Sequence, residues 1–300
     1  MVTPWVSNGI PRYAGPLSLD EAHRYCHLLA TEHYENFPVF LSLFDSDQQK
    51  ALAAVYAFAR TADDFADETF FDPIADRALA AWRMALHDCI IGRAKHPVFV
   101  ALRWALNRYP IPPEQLEALL DAFVQDRVKH RYRDWADLHD YCSRSANPVG
   151  RIVLAVLDAA TPENDRYSDA LCTALQLTNF WQDISIDRHK GRIYLPLDLL
   201  ARHGVPETVI LEGRTIPRVA AIIADACDHT AALFREGKPL IKKIPMPGKA
   251  YLSLVYLGGT TVLGMARRYG KLLLTRRPKL SAGSYITSLF SPFFVAKEST

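Results

Sequence analysis

The sequence predicts an all-α protein. Apolar residues recur at helical spacing along nearly the whole chain. No region alternates polar and apolar residues between hairpin signals, and Ser, Asp and Pro stand where helices should begin. The first helix is expected over 18–34, where Ser18 and Glu21 have the spacing of a capping box. Ser46 opens a long apolar-rich helix over 46–68. Asp72 as N-cap and Pro73 at the first helical position start another over 72–90. Helices over 96–109 and 112–130 follow, separated by Pro110, Pro112 and Pro113. A sixth runs over 135–160 with a kink expected at Pro148. Three more cover 167–190, 216–238 and 251–274. With no linker, low-complexity tract or fixed-period repeat, the reading is one domain over 1–300, with a core of about 18–280 and a tail at 281–300.

The bulk numbers exclude several function classes. The chain has 300 residues, 49% of them hydrophobic, enough for a sizeable core. A net charge of +2, with no Lys/Arg block interleaved with aromatics, gives no electrostatic case for nucleic acid. Cys26, Cys89, Cys142, Cys172 and Cys227 are scattered and form no CxxC. That argues against a disulfide framework and a thiolate zinc site, and for a reducing cytoplasm. The first residues lack the apolar core of a signal peptide. The longest apolar run, 251–266, is shorter than a membrane span and is broken by Gly258, Gly259 and Gly264.

Two stretches stand out. In "ARTADDFADE", Tyr56, Arg60, Asp63 and Asp67 step by four, three and four and share one helix face. In "TNFWQDISID", Gln176, Asn179, Asp183 and Asp187 step by three, four and four. Val55, Phe58 and Phe65 flank the first stripe; Leu177, Phe180 and Ile184 flank the second. Both polar stripes therefore run along largely apolar helices. Neighbouring carboxylates repel, and burying them uncompensated costs several kcal/mol. Arg60 offers one partner to four aspartates, so a divalent cation is the economical complement. Oxygen-only ligands indicate Mg²⁺, which keeps waters and shares itself with substrate phosphates. A solvated helix face is the plain alternative, and a di-iron bundle would require a Glu-x-x-His pattern that neither stripe has.

At these residues the chain resembles the squalene/phytoene synthase family, over about residues 20–280. "YAFARTADDFAD" matches the first aspartate-rich motif of that family, and "QLTNFWQDISIDRHKGRIYLP" matches the second. "DLHDYCSRSANPVG" matches the segment carrying an active-site tyrosine, here Tyr141, and "HYENFP" lies where the family has a phosphate-contacting loop. The resemblance implies an isoprenoid-synthase helical bundle around a central cavity. Two aspartate-rich helices would face each other across its mouth, and Mg²⁺ would bridge them to a prenyl diphosphate. It implies Asp63, Asp67, Asn179, Asp183 and Asp187 as metal ligands, and the four aspartates with Tyr141 as the catalytic set. Substrate contacts fall to Tyr56, Arg60, His33, Asn36, Gln176, Asn179, Gln182, Arg192 and Asn147.

Where the family often has Arg and Glu in the second motif, this chain has Gln182 and Ile186; it has Glu35 in the early loop and Asn147–Pro148 before Val149. In these features it resembles the bacterial hydroxysqualene synthase branch. That branch takes presqualene diphosphate, ionises it and captures the rearranged cation with water, with no nicotinamide. Tyr141, Asn147, Asn179 and Gln182 are candidates to hold that water. The alternatives are presqualene diphosphate, squalene or phytoene synthase activity and, in a different class, a non-catalytic scaffold. Functional coupling to a presqualene diphosphate synthase is a further implication.

Other features admit plainer readings. His23 and His27 suit packing or surface roles better than metal binding. Trp181 is a candidate for the cation pocket or the core. Asp126, Arg131 and Tyr132 fit either the family's DxxxxRY pattern or an ordinary ion pair. Arg192 and Tyr194 suit diphosphate contact or closure of a helix end. Leu289, Phe290, Phe293 and Phe294 make the tail a candidate for transient contact with the inner membrane surface by a cytoplasmic protein.

Overall fold

The computed structural model describes residues 17–32, 43–67 and 73–278. His33, Asn36, Glu35, Asp72 and the tail with Leu289, Phe290, Phe293 and Phe294 lie outside the described residues. The described chain is all-α, with one isolated bridge, Arg131 to Ile193, and no strand among the described residues. No helix among them is long and apolar enough to cross a membrane.

The chain forms two compact units. One holds the described residues up to Arg127 together with Arg151–Ala160; the other holds Val128–Gly150 and the described residues from Thr161 on. The described backbone thus passes from one unit to the other three times, after Arg127, Gly150 and Ala160.

The first unit is built from α1 (Leu19–Glu32), α2 (Ser46–Asp67), α3 (Ala75–Ile90), α4 (Pro97–Arg108) and α5 (Pro113–Asp126). The expected capping box forms: Ser18 N donates to Glu21 Oε2 at 2.9 Å, and Glu21 N to Ser18 Oγ at 3.3 Å. Helix α2 packs on α1, α4, α5 and α3. Trp82 of α3, fully buried, is the hub. Its ring meets Phe58, Phe65, Phe99 and His96, and its indole N–H donates to Phe58 O at 3.2 Å. The start of α3 falls later than expected, with Ile74 at its N-cap. His23 is buried edge-on against Trp104, a packing role.

The second unit centres on α8 (Pro162–Asp187), on which α11 (Pro217–Gly237) and α13 (Gly248–Tyr269) pack. Thr161 caps α8 by accepting from Asn164 N at 3.1 Å, with Pro162 at the first position, five residues before the apolar pattern begins. Short helices α9 (Leu197–Arg202), α10 (Glu207–Leu211) and α12 (Leu240–Lys243) join these longer ones. The expected sixth helix is two: α6 (Trp135–Ser145) and α7 (Asn147–Val156), so Pro148 does not kink a continuous helix. The chain breaks at Ala146 (φ −120°, ψ −50°), and Pro148 sits in the first turn of α7, where its missing N–H is not needed.

Candidate active site: two aspartate stripes

Helix α2 presents the first stripe. Tyr56 is buried, and its hydroxyl pKa is pushed up to about 12, chiefly by removal from water. Arg60 donates Nη1–H to Asp63 Oδ2 at 3.2 Å and Nη2–H to Asp64. Asp64, one turn beyond Arg60, is thus part of the cluster, although the four-residue repeat passes over it. Asp126 of α5 also acts on Asp63. The Asp63 carboxyl is held far above the usual range, to about 8. Removal from water is the largest cause. Arg60 opposes it, and Asp67, Asp64 and Asp126 add to the rise. Carboxylates so crowded on Asp63, with Arg60 as the opposing charge, call for more positive charge.

Helix α8 presents the second stripe. Gln176, Asp183 and Asp187 are 4%, 5% and 7% exposed, although they are polar. Gln176 Oε1 and Asn179 Nδ2 are buried without a hydrogen-bond partner among the described residues. Unsatisfied buried amides cost roughly 1–3 kcal/mol each, which marks the stripe as built for something besides packing. Asp183 is gripped by Arg277, Nε to Oδ1 at 2.6 Å and Nη2 to Oδ2 at 3.3 Å. Sequence spacing gave no sign of this contact. Gln182, one step off the stripe, donates Nε2–H to Pro278 O at 3.0 Å.

After α8 the chain makes a 3₁₀ turn, Arg188–Lys190, ended by Gly191 at φ +69°, a left-handed conformation that suits glycine. The turn returns Arg192 N to Asp187 O at 2.9 Å. It also lays Tyr194 flat on Phe180, rings 3.7 Å apart and 4° from parallel. Tyr141 of α6 lies 6.1 Å from Phe180 and 5.4 Å from the buried Tyr132, extending the aromatic wall. A small cleft of about 10 Å³, near the lower limit for one water, is lined by Phe180, Asp187, Arg192 and Tyr194 among others.

Asn147 accepts from Thr173 Oγ1 at 2.9 Å, tying the start of α7 to α8 one turn before Gln176. Gly150 makes this approach possible: a Cβ there would sit 2.2 Å from Ser168 Oγ and 2.6 Å from Cys172 Sγ. Trp181 is fully buried and donates to Thr230 Oγ1 at 2.8 Å, a core residue. Arg131 pairs with Glu207.

Among the described residues no group of three or more His, Cys, Asp or Glu side chains forms a protein-only metal cage. The donor set, carboxylates with amide groups left unpaired beside them, fits a hard cation that draws its remaining ligands from water and phosphate.

The profile of squalene/phytoene synthase matches residues 30–284. The chain belongs to the squalene/phytoene synthase family. It is 35% identical over 250 residues to hydroxysqualene synthase of Rhodopseudomonas palustris, covering 83% of this chain and 82% of that one. It is 30% identical over 282 residues to phytoene synthase of Thermus thermophilus, covering 94% and 96%. The crystal structure of squalene synthase HpnC from Alicyclobacillus acidocaldarius superposes with a TM-score of 0.80 at 37% identity, covering 85% of this chain and 97% of that one. A dehydrosqualene synthase structure gives the same TM-score at 23% identity, a likeness of fold. The all-α isoprenoid-synthase fold expected from the resemblance is therefore present.

Proposed function

We propose that this member of the family is a hydroxysqualene synthase: presqualene diphosphate and water give hydroxysqualene and diphosphate. The carrying observation is the in-line stripe Gln176, Asn179, Asp183 and Asp187 on α8, in which Gln176, Asp183 and Asp187 are buried although polar. The similarity to the Rhodopseudomonas enzyme and the Asn147–Pro148 sequence support this branch. Asp63, Asp67, Asn179, Asp183 and Asp187 are the residues that would hold Mg²⁺. When bound, Mg²⁺ supplies charge stabilisation to the departing diphosphate.

The chain's own groups do the rest. Arg60 and Arg192 carry positive charge suited to diphosphate oxygens, and Tyr56 and Gln176, on the same two stripes, are the further substrate contacts. Once the C–O bond to diphosphate breaks, the positive charge on the hydrocarbon needs a dry wall with negative faces. The Tyr141–Phe180–Tyr194 rings offer such faces. The capturing water adds its oxygen to the rearranged carbon and releases a proton. Asn147 and Gln182 have hydrogen bonds of their own to Thr173 and Pro278, so Asn179, whose Nδ2 has no partner among the described residues, is the better candidate to orient the water, with Tyr141 in the wall beside it.

Incubation of the purified protein with presqualene diphosphate and Mg²⁺ in ¹⁸O-water tests the reading: the product alcohol should carry the label. An unlabelled alcohol, or squalene formed only with NADPH, rejects it. The phytoene synthase similarity over 94% of the chain favours a second reading, condensation of two prenyl diphosphates. Consumption of a prenyl diphosphate supplied alone would select it. For the tail at 281–300 we propose membrane-surface contact, to be tested by vesicle co-sedimentation of the intact and tail-deleted chains.

A further inference from the structure

The 3₁₀ turn Gly270–Leu274 buries Leu273 and Leu274 completely. Beyond it the chain crosses α8 as a short strap, Thr275–Pro278. Two successive residues of α8 hold two successive residues of the strap. Asp183 receives both N–H groups of Arg277, and Gln182 reaches the carbonyl of Pro278. The ion pair is well sheltered, with the Asp183 side chain 7% and that of Arg277 19% exposed. A guanidinium on both oxygens of a sheltered carboxylate is a strong, directional contact. Thr275 and Arg276 are exposed, and Thr275 Oγ1 and Arg276 N both return to Leu272 O rather than to α8. The strap's hydrogen bonds to α8 run through Arg277 and the Pro278 carbonyl, and a polar grip on a carboxylate is one that another cation can replace.

A dication approaching Asp183 meets the Arg277 charge a few ångströms away, in surroundings poor in water, where repulsion is weakly screened. We propose that Arg277 is the internal counter-ion of the second stripe and competes with a divalent cation for Asp183, so that loading the stripe requires the strap to release. This rests on the reading of Asp183 as a metal ligand. The aspartate is kept compensated while no cation is bound, which explains how it tolerates burial.

The test uses the full chain without substrate and Mn²⁺ as probe, titrated by electron paramagnetic resonance. Arg277→Gln should bind Mn²⁺ roughly tenfold more tightly than the wild type, and Arg277→Lys, which keeps the charge, within about threefold of it. Adding Asp183→Asn to Arg277→Gln should abolish the gain. In the wild type, Mn²⁺ should accelerate trypsin cleavage after Arg276, scored by intact mass; the bond after Arg277 is protected by Pro278. Equal or weaker Mn²⁺ binding by Arg277→Gln would make Arg277 a brace and overturn the proposal. So would cleavage indifferent to Mn²⁺. If Arg277→Gln misfolds, the proteolysis arm on the wild type decides alone. Binding by the wild type that Asp183→Asn weakens, without the Arg277 effects, would leave the metal reading standing and reject only the strap. No binding by any variant at millimolar Mn²⁺ would reject both.

Discussion

Replacing Asp63 by Asn should stabilise the metal-free protein at pH 7.5 while removing its activity. Burial and the nearby Asp67, Asp64 and Asp126 raise the Asp63 carboxyl from 3.8 to about 8, opposed by Arg60, which pairs with Asp63 and Asp64. Between those values the folded state keeps a proton that the unfolded chain has released. Stability therefore falls as pH rises through that window and is unaffected below it. Each pH unit can cost at most about 1.4 kcal/mol. The Asp63 side chain is still 32% exposed, and solvent screens much of the repulsion, so the whole loss by pH 7.5 should be about 1–2 kcal/mol. Asn has the same shape and no charge to lose. In EDTA the variant should melt about 2–6 °C above the wild type at pH 7.5, and the gap should shrink towards pH 4. Calorimetry at both pH values measures this. Turnover of presqualene diphosphate with Mg²⁺ should meanwhile fall by about 10²-fold or more, because the charge that strains the apoprotein is the one the cation needs. A variant no more stable than the wild type at pH 7.5, or a gap independent of pH, would refute the burial and crowding of the Asp63 carboxyl.

Asp67→Asn, Asp183→Asn and Asp187→Asn should each keep the helical circular dichroism and lose at least about 10²-fold in turnover; near-wild-type rates in two of them at saturating Mg²⁺ would reject the metal assignment. Gly150→Ala should cost about 1–3 kcal/mol, because its Cβ would overlap Ser168 and Cys172. Combining it with Ser168→Ala and Cys172→Ala should restore part of the loss in a denaturation curve. His139 and His229 meet Nε2 to Nε2 at 2.9 Å, and His229 is lowered to about 4, by burial first and His139 second. A depressed histidine contributes stability above its unfolded pKa that is lost as pH falls from about 6.5 towards 4. The double change to Gln should flatten that part of the stability–pH curve.

The stripes were legible because helical spacing is local: steps of three and four put Gln176, Asn179, Asp183 and Asp187 on one face whatever packs around it. The same locality hid other things. Thr161 caps α8 well before the apolar pattern starts, because the first turns of that helix are largely exposed and carry no core signal. Pro148 was read as a kink because a proline inside a helical pattern has two outcomes. The choice depended on Asn147 reaching Thr173 and Gly150 fitting against Ser168, contacts made across the fold. Arg277 lies 94 residues from Asp183, and no periodicity connects them. Asp64 carries a local signal, four residues after Arg60, that the repeat through Asp63 and Asp67 overlies.

The three passages of the chain between its two units have a genetic consequence. The unit that carries Asp63 is completed by Arg151–Ala160, encoded after a segment belonging to the other unit. No single crossover between two related genes can exchange one whole unit for its counterpart. A break after Arg127 leaves the second half of α7 behind, and a break after Ala160 takes part of the neighbour with it. Change in such an architecture must come largely by substitution at fixed places, of the kind seen at Gln182 and Ile186, rather than by trading halves. Engineering faces the same restriction: the boundary after Gly150 falls inside α7, so even a chimera that exchanges Val128–Gly150 together with the segment from Thr161 onward has to rejoin that helix in register.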